Sequence, residues 1–331
     1  MIKSLLAAAA LTTAMAASAL AADMGPAIVF DIGGKFDKSF NESMFNGAEK
    51  FKKETGKSYA EFEIANEAQR EQAIRNFADK GYSPIIAAGF AQAEAVTKVA
   101  KDYPDLKFAI IDMVVEPKNT ESIVFKEHEG SYLVGVLAAL ASKTGKVGFV
   151  GGMDIPLIHK FACGYVQGVK ATKKDGTVFQ NMTGDTGAAW NDPVKGGEIT
   201  KGQIAKGADV VYAAAGATGI GVLQAAADAG KLSIGVDANQ NYLHPGKVLT
   251  SMVKHVDVAV YNIMKNGNDK FEPGIHALGL AEGGVDYAMD DNNKSLVTDD
   301  MKKAVEAAKA DIIAGKTKIH DYMEDNKCPV E

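Results

Sequence analysis

Residues 27–51 read AIVFDIGGKFDKSFNESMFNGAEKF. An apolar run from Ala27 ends on an acid, Asp31, and the glycine pair Gly33 and Gly34 then turns the chain. Ser39 followed three residues later by Glu42 predicts a helix N-cap with its capping box. Behind it Phe40, Met44, Phe45, Ala48 and Phe51 recur at helical spacing. A strand, a polar loop and a helix in that order place the loop at the carboxyl end of a parallel strand, where open α/β sheets take ligands. The loop also carries Phe36, an aromatic that neither period explains.

The same alternation runs outward from this stretch. Strands are predicted at 27–31, 85–89, 108–112, 122–126, 147–151, 210–214, 232–237 and 248–253. Helices are predicted at 39–55, 67–80, 91–102, 131–142, 161–172, 196–206, 219–229 and 299–314. This is the pattern of parallel sheets covered by helices on both faces. With 331 residues the chain holds about two domains. Four or so strand–helix units precede residue 127 and a similar number follow. Two α/β lobes of similar size, joined without a floppy linker, share a cleft at the carboxyl ends of their strands.

Composition narrows the class. The chain is 47% hydrophobic and 24% charged, which is ordinary for a globular protein. A net charge of −6 with no basic stripe argues against nucleic-acid binding. At the start, Lys3, the apolar run Leu5–Met15 and Ala19-Leu20-Ala21 form a signal segment with cleavage after Ala21. No cysteine near that site offers a place for lipid, so a free periplasmic or secreted protein is expected. The only two cysteines, Cys163 and Cys328, are either bridged or separate thiols in such a compartment.

Candidate chemistry is polar rather than catalytic. Asp31, Asp112 and Asp237 each end a predicted strand, where a carboxylate can accept hydrogen bonds from hydroxyls or amines of a ligand. Gly216, Gly219 and Gly221 follow a strand and open a helix, but their spacing is wrong for a dinucleotide fingerprint. They are read as letting backbone approach a ligand. The six histidines show no zinc-ligand spacing and no nucleophile elbow is present. No metal, cofactor or enzymatic machinery is expected. Trp190, the single tryptophan, sits in a loop of the second half. Facing Phe36 across a cleft, it would complete a slot for a flat heterocycle.

Six strings then carry a resemblance: FDKSFNES at 36–43, AIID at 109–112, GGMDIP at 151–156, WNDPVKG at 190–196, GVDANQ at 235–240 and VLTSMVKHVDVAVY at 248–261. In order along nearly the whole mature chain, they resemble the basic membrane protein family. These are substrate-binding components of ABC transporters whose characterised branch resembles a purine nucleoside receptor. The resemblance implies a type I periplasmic binding protein, with two Rossmann-like lobes, three crossovers and a hinged cleft. It divides the chain into 24–127 plus 250–284 and 128–249 plus 285–331. It implies that Phe36 and Trp190 sandwich a purine, while Asn46 and Asp112 read the base edge. Asp237 would accept from ribose hydroxyls, assisted by Lys254 and backbone near Gly216, with Asp31 and Asp37 orienting the loop.

One departure stands out. Family members often carry two acids in the first loop, and here Phe36 replaces the first, which makes Phe40 a rival for the first ring. The expectation is a monomeric carrier that closes on a purine nucleoside and hands it to an inner-membrane permease. A free purine base, a flavin-like ring, a nucleoside-processing enzyme and a sensor remain alternatives.

Overall fold

The computed structural model describes residues 24–330. The signal segment read at 1–21 lies outside them. The first lobe opens with β1 (Ala27–Phe30), α1 (Phe40–Thr55), β2 (Ala60–Glu63), α2 (Arg70–Asp79), β3 (Ile85–Ala87), α3 (Ala93–Asp102), β4 (Phe108–Ile111) and β5 (Thr120–Phe125). The chain then crosses to α4 (Glu127–Ala141), β6 (Lys146–Met153), α5 (Pro156–Thr172), β7 (Thr177–Gly184), α6 (Pro193–Ala205), β8 (Val210–Ala214), α7 (Thr218–Asp228), β9 (Leu232–Asp237) and β10 (Val248–Lys254). It returns for α8 (Val256–Asn266) and β11 (Gly274–Leu278), and crosses again for β12 (Val285–Tyr287) and α9 (Asp299–Ile313).

Each lobe is built on a six-stranded sheet, ordered β11-β5-β4-β3-β1-β2 in the first and β12-β10-β9-β8-β6-β7 in the second. All pairings are parallel except β10 with β12. The two orders are the same, with the strand direction of travel reversing between β1 and β3 and between β6 and β8. Fully buried runs such as Ala27-Ile-Val-Phe30 and Val210–Ala214 explain why these inner strands were legible, since a sheet covered on both faces needs no alternation.

The periodicity did not show the four edge strands β2, β7, β11 and β12, nor the helix α8. Strand β2 is AEFE with three of its four residues exposed, and β7 and β11 are largely exposed or half-buried. An edge strand carries polar residues outward and leaves no apolar run to read. The crossover expected at 249/250 is also corrected: Val248–Lys254 is one strand of the second sheet, and the chain leaves that lobe at His255. The apolar run VLTSMV needs a continuous buried slot and so stays whole.

Three crossovers join the lobes, at Lys126, at His255 and over 279–284. They are tied together by backbone bonds, Lys126 N–H to Leu278 O at 2.9 Å and His255 N–H to Gly284 O at 2.8 Å. Cys163 on α5 is disulfide-bonded to Cys328, with Cα atoms 5.5 Å apart, which fastens the chain's last residues to the second lobe.

Candidate functional site

In a doubly wound sheet the strand order leaves a crevice where it reverses, outside the carboxyl ends of the strands. Both lobes point theirs at the same space. Asp31, Ile32, Gly89 and Phe90 line it from the β1/β3 reversal, and Ala214, Ala215 and Gly216 from the end of β8 beside β6. The cleft holds about 630 Å³ of non-protein space, its open mouth included.

The first loop is organised by Asp37. One of its oxygens accepts the backbone N–H of Ser39 (2.8 Å) and Glu42 (3.1 Å), and the other that of Asn41 (3.0 Å). Asp37 therefore satisfies the free donors at the start of α1, the work expected of Ser39. The Ser39 hydroxyl instead crosses the cleft and donates to Asp237 Oδ2 at 2.5 Å. Glu42 accepts from Lys38 N–H (3.2 Å) rather than from its cap residue. The capping box is thus corrected to an aspartate cap two residues earlier.

Of the two candidate rings in this loop, Phe40 lines the cleft. Phe36 is 60% exposed and packs edge-on against Phe45, ring centroids 5.3 Å apart, with Lys35 over both rings. The expectation for Phe36 is overturned, because the chain turns between it and α1 and the first ring falls one helical turn later. The lost loop acid accordingly lies outside the cleft. Asn46 is corrected too. It is exposed, whereas Asn41, five residues earlier, is buried and lines the cleft. Asn41 Oδ1 accepts Asp31 N–H (3.2 Å) and its Nδ2 donates to Asp31 O (3.3 Å), which locks α1 onto the end of β1.

The second lobe supplies Trp190. Its indole lies in a slot without side chains: a Cβ on Gly152 would come within 2.2 Å of Cζ3, and one on Gly216 within 3.3 Å of the Trp190 carbonyl. Gly216 has φ +56°, so both its backbone and its missing side chain are required there. Gly221 does different work from that expected. A Cβ there would meet the Pro193 carbonyl at 1.8 Å, so this glycine lets α7 pack on the start of α6 and not on a ligand.

Asp112 and Asp237 end β4 and β9 with φ of +69° and +62°. Aspartate tolerates this left-handed geometry better than most residues, at a cost of about 1–3 kcal/mol. Both side chains line the cleft, one from each lobe, with Lys254 beside them. Lys254 Nζ donates to Asp112 Oδ2 at 2.7 Å and lies 3.8 Å from Asp237 Oδ1 and 3.5 Å from Glu127 Oε1. Phe40, Phe125 and Phe161 surround it. Burial opposes its charge, but the three carboxylates outweigh that and hold the ammonium above its ordinary value. Burial pushes Asp112 up to about 6, against the pull of Lys254 and with the help of Glu127. Burial likewise raises Asp237, and pushes Asp37 up to about 6 despite its three backbone donors. Burial also raises Asp31, whose Oδ1 holds Arg70 at 3.2 Å.

Eight of the ten ligand-site expectations therefore meet in one cleft: Asp31, Asp37, Phe40, Asp112, Trp190, Gly216, Asp237 and Lys254. Missed were ten residues of its wall, Asn41, Phe90 and Phe161 among them, as well as Glu127 behind it and Gln240, whose Nε2 reaches across to Lys38 O at 2.9 Å. Asn41 stood in the quoted string FDKSFNES and was legible by helical phase; Glu127 gave no signal short of the folded hinge.

Two like-ordered α/β sheets, three crossovers and a shared cleft define a type I periplasmic binding protein, a two-lobed carrier of small solutes. The chain belongs to the Bmp family, described as PnrA-like ABC transporter substrate-binding proteins, whose model matches residues 26–321. It is 36% identical over 318 residues to the ABC transporter nucleoside-binding protein BmpA of Lactococcus lactis subsp. cremoris, covering 89% of this chain and 88% of that one. It is 37% identical over 281 residues to an uncharacterized lipoprotein of Pyrococcus furiosus, covering 79% and 69%. A solved ABC transporter solute-binding protein from Aeropyrum pernix K1 superposes with a TM-score of 0.81 at 29% identity, covering 89% of this chain and 92% of that one. A transcriptional activator of the comK gene from Bacillus halodurans superposes at 0.75 with 25% identity, covering 90% and 100%. The chain is thus an ABC transporter substrate-binding protein, with a small-molecule ligand and a permease as its partners.

Proposed function

We propose that this protein captures a purine nucleoside from the periplasm and delivers it to its permease as a free, monomeric carrier. The observation that carries the reading is the meeting of Phe40 and Trp190, aromatic residues of opposite lobes, with two strand-end carboxylates beside a buried ammonium. Rings suit a flat base, with each stacking contact worth about 1–3 kcal/mol. Asp112 and Asp237 accept from N–H and O–H groups, and Lys254 donates to a hydroxyl oxygen or ring nitrogen. A ligand lacking those groups would leave the carboxylates buried and unpaired. The name of the Lactococcus relative supports the same class. Closure follows from differential affinity, because the ligand meets residues of both lobes only when they are together.

Calorimetry with adenosine, inosine, guanosine, adenine, ribose and riboflavin tests this. At least one nucleoside is expected to bind far more tightly than its free base or ribose, and Asp237→Ala to weaken it by at least tenfold. Equal affinity for adenine and adenosine, or an Asp237→Ala protein that binds like the parent, would overturn the nucleoside reading. Release of free base during incubation would overturn the carrier reading in favour of an enzyme.

A further inference from the structure

The ammonium of Lys254 sits between the two lobes' carboxylates, and its nearest partner is Asp112 on the first lobe. If Asp112 and Lys254 simply neutralised each other, both would be spent, leaving little to bind a ligand. The structure places a third carboxylate within reach of that ammonium. Glu127 stands at the first crossover, 1% exposed, with Oε1 3.5 Å from Lys254 Nζ and Oε2 3.0 Å from Lys160 Nζ. Among the described residues no other donor reaches its two oxygens. Lys160 in turn donates to Phe125 O at 2.6 Å and lies 3.3 Å from Asp321 Oδ2. His128 Nδ1, 3.6 Å from the same Asp321 oxygen, is held neutral by burial, its pKa pushed down to about 4. A line of alternating charge therefore runs Asp321, Lys160, Glu127, Lys254, and ends on Asp112 and Asp237. At its far end one oxygen of Asp112, Oδ1, is buried and without a hydrogen-bond partner while lining the cleft.

We propose that Glu127, braced by Lys160, is a positioning residue for the ligand site: it draws the Lys254 ammonium toward the hinge and so keeps Asp112 Oδ1 open for a ligand donor. Burying a carboxylate here is costly and adds little to stability that an apolar pair would not supply. What an apolar pair cannot do is compete with Asp112 for the same ammonium. The inference rests on the nucleoside reading for its ligand, but the arrangement of the charges does not.

Two measurements separate the two. In ligand-free protein, the Asp112 carboxyl is followed by carbon NMR across pH. Glu127→Gln removes a neighbouring negative charge and releases Lys254 to Asp112, so the Asp112 midpoint is expected to fall. Lys160→Met leaves Glu127 uncompensated, so the midpoint is expected to rise. Opposite signs are not what general loss of packing produces; two shifts of one sign, or none, would overturn the proposal. Should Glu127→Gln fail to fold, Glu127→Asp keeps the charge and withdraws it by one methylene. It is expected to lower the midpoint less, and an unchanged midpoint would overturn the proposal. Calorimetry with adenosine, inosine and guanosine then reads the functional arm. Glu127→Gln is expected to weaken the tightest of the three about tenfold at pH 7.5, the size of a coupling between neighbouring charges. Unchanged affinity with a shifted midpoint would overturn the positioning role, whereas a parent protein that binds none of the three nucleosides would overturn only the nucleoside reading.

Discussion

Gly152 is held small by Trp190 rather than by its own backbone, since the missing side chain is what lets the indole lie flat against the second lobe. Gly152→Ala is therefore expected to push the ring outward and cost about 1–3 kcal/mol of stability. A lower urea midpoint, with tryptophan emission moved to the red, is the measurement. Because Trp190 is the only tryptophan, that emission reports a single place, and saturating nucleoside is expected to quench or shift it strongly in the parent. An unchanged spectrum alongside calorimetric binding would remove Trp190 from the contact. At this scale the three strand-end aspartates were legible, because an acid closing a buried apolar run has nowhere to point except past the sheet edge. Phe36 against Phe40 was not legible. Both lie in one string, and only the path of the loop assigns one to solvent and the other to the cleft.

Helix α1 shows how a side-chain choice becomes a site. Its start is capped by Asp37, which frees the Ser39 hydroxyl to reach Asp237 in the other lobe. Asp37→Ala should expose three backbone donors in a buried loop and cost about 1–2 kcal/mol, a typical loss for an N-cap. Ser39→Ala should leave the helix stability near that of the parent and remove one bond between the lobes. Chemical denaturation of the two variants checks the contrast; equal losses would return the cap to Ser39. The buried face of α1 was readable from its period, but its rotation was not. Gly47 presses against the Asp257 carbonyl of α8, where a Cβ would lie 2.2 Å away. That contact with an element 210 residues later in the chain points Asn46 at solvent and leaves Asn41 in the cleft.

For the whole molecule, the pKa of Asp112 sets a pH dependence. Burial puts it at about 6 without ligand, and a ligand N–H or O–H donor would favour the ionised form and lower that value. Binding then releases a proton, so affinity is full above about pH 6 and falls as pH drops below it, approaching tenfold per unit. The same raised value favours the ligand-free fold as pH falls from about 6 toward the ordinary carboxylate range. The increase in melting temperature caused by nucleoside should consequently shrink between pH 7 and pH 5. An increase that stays constant over that range would exclude Asp112 from the contact. The sequence by itself determined the two α/β lobes, the cleft at their strand ends and the strand-end acids that line it, because buried parallel strands and the acids that end them are local patterns. The tertiary structure alone decided which ring and which asparagine face the cleft, and that Glu127 stands behind Lys254. Those depend on how helices rotate against distant neighbours and on charges from separate segments meeting at the hinge, where no local period or spacing reaches.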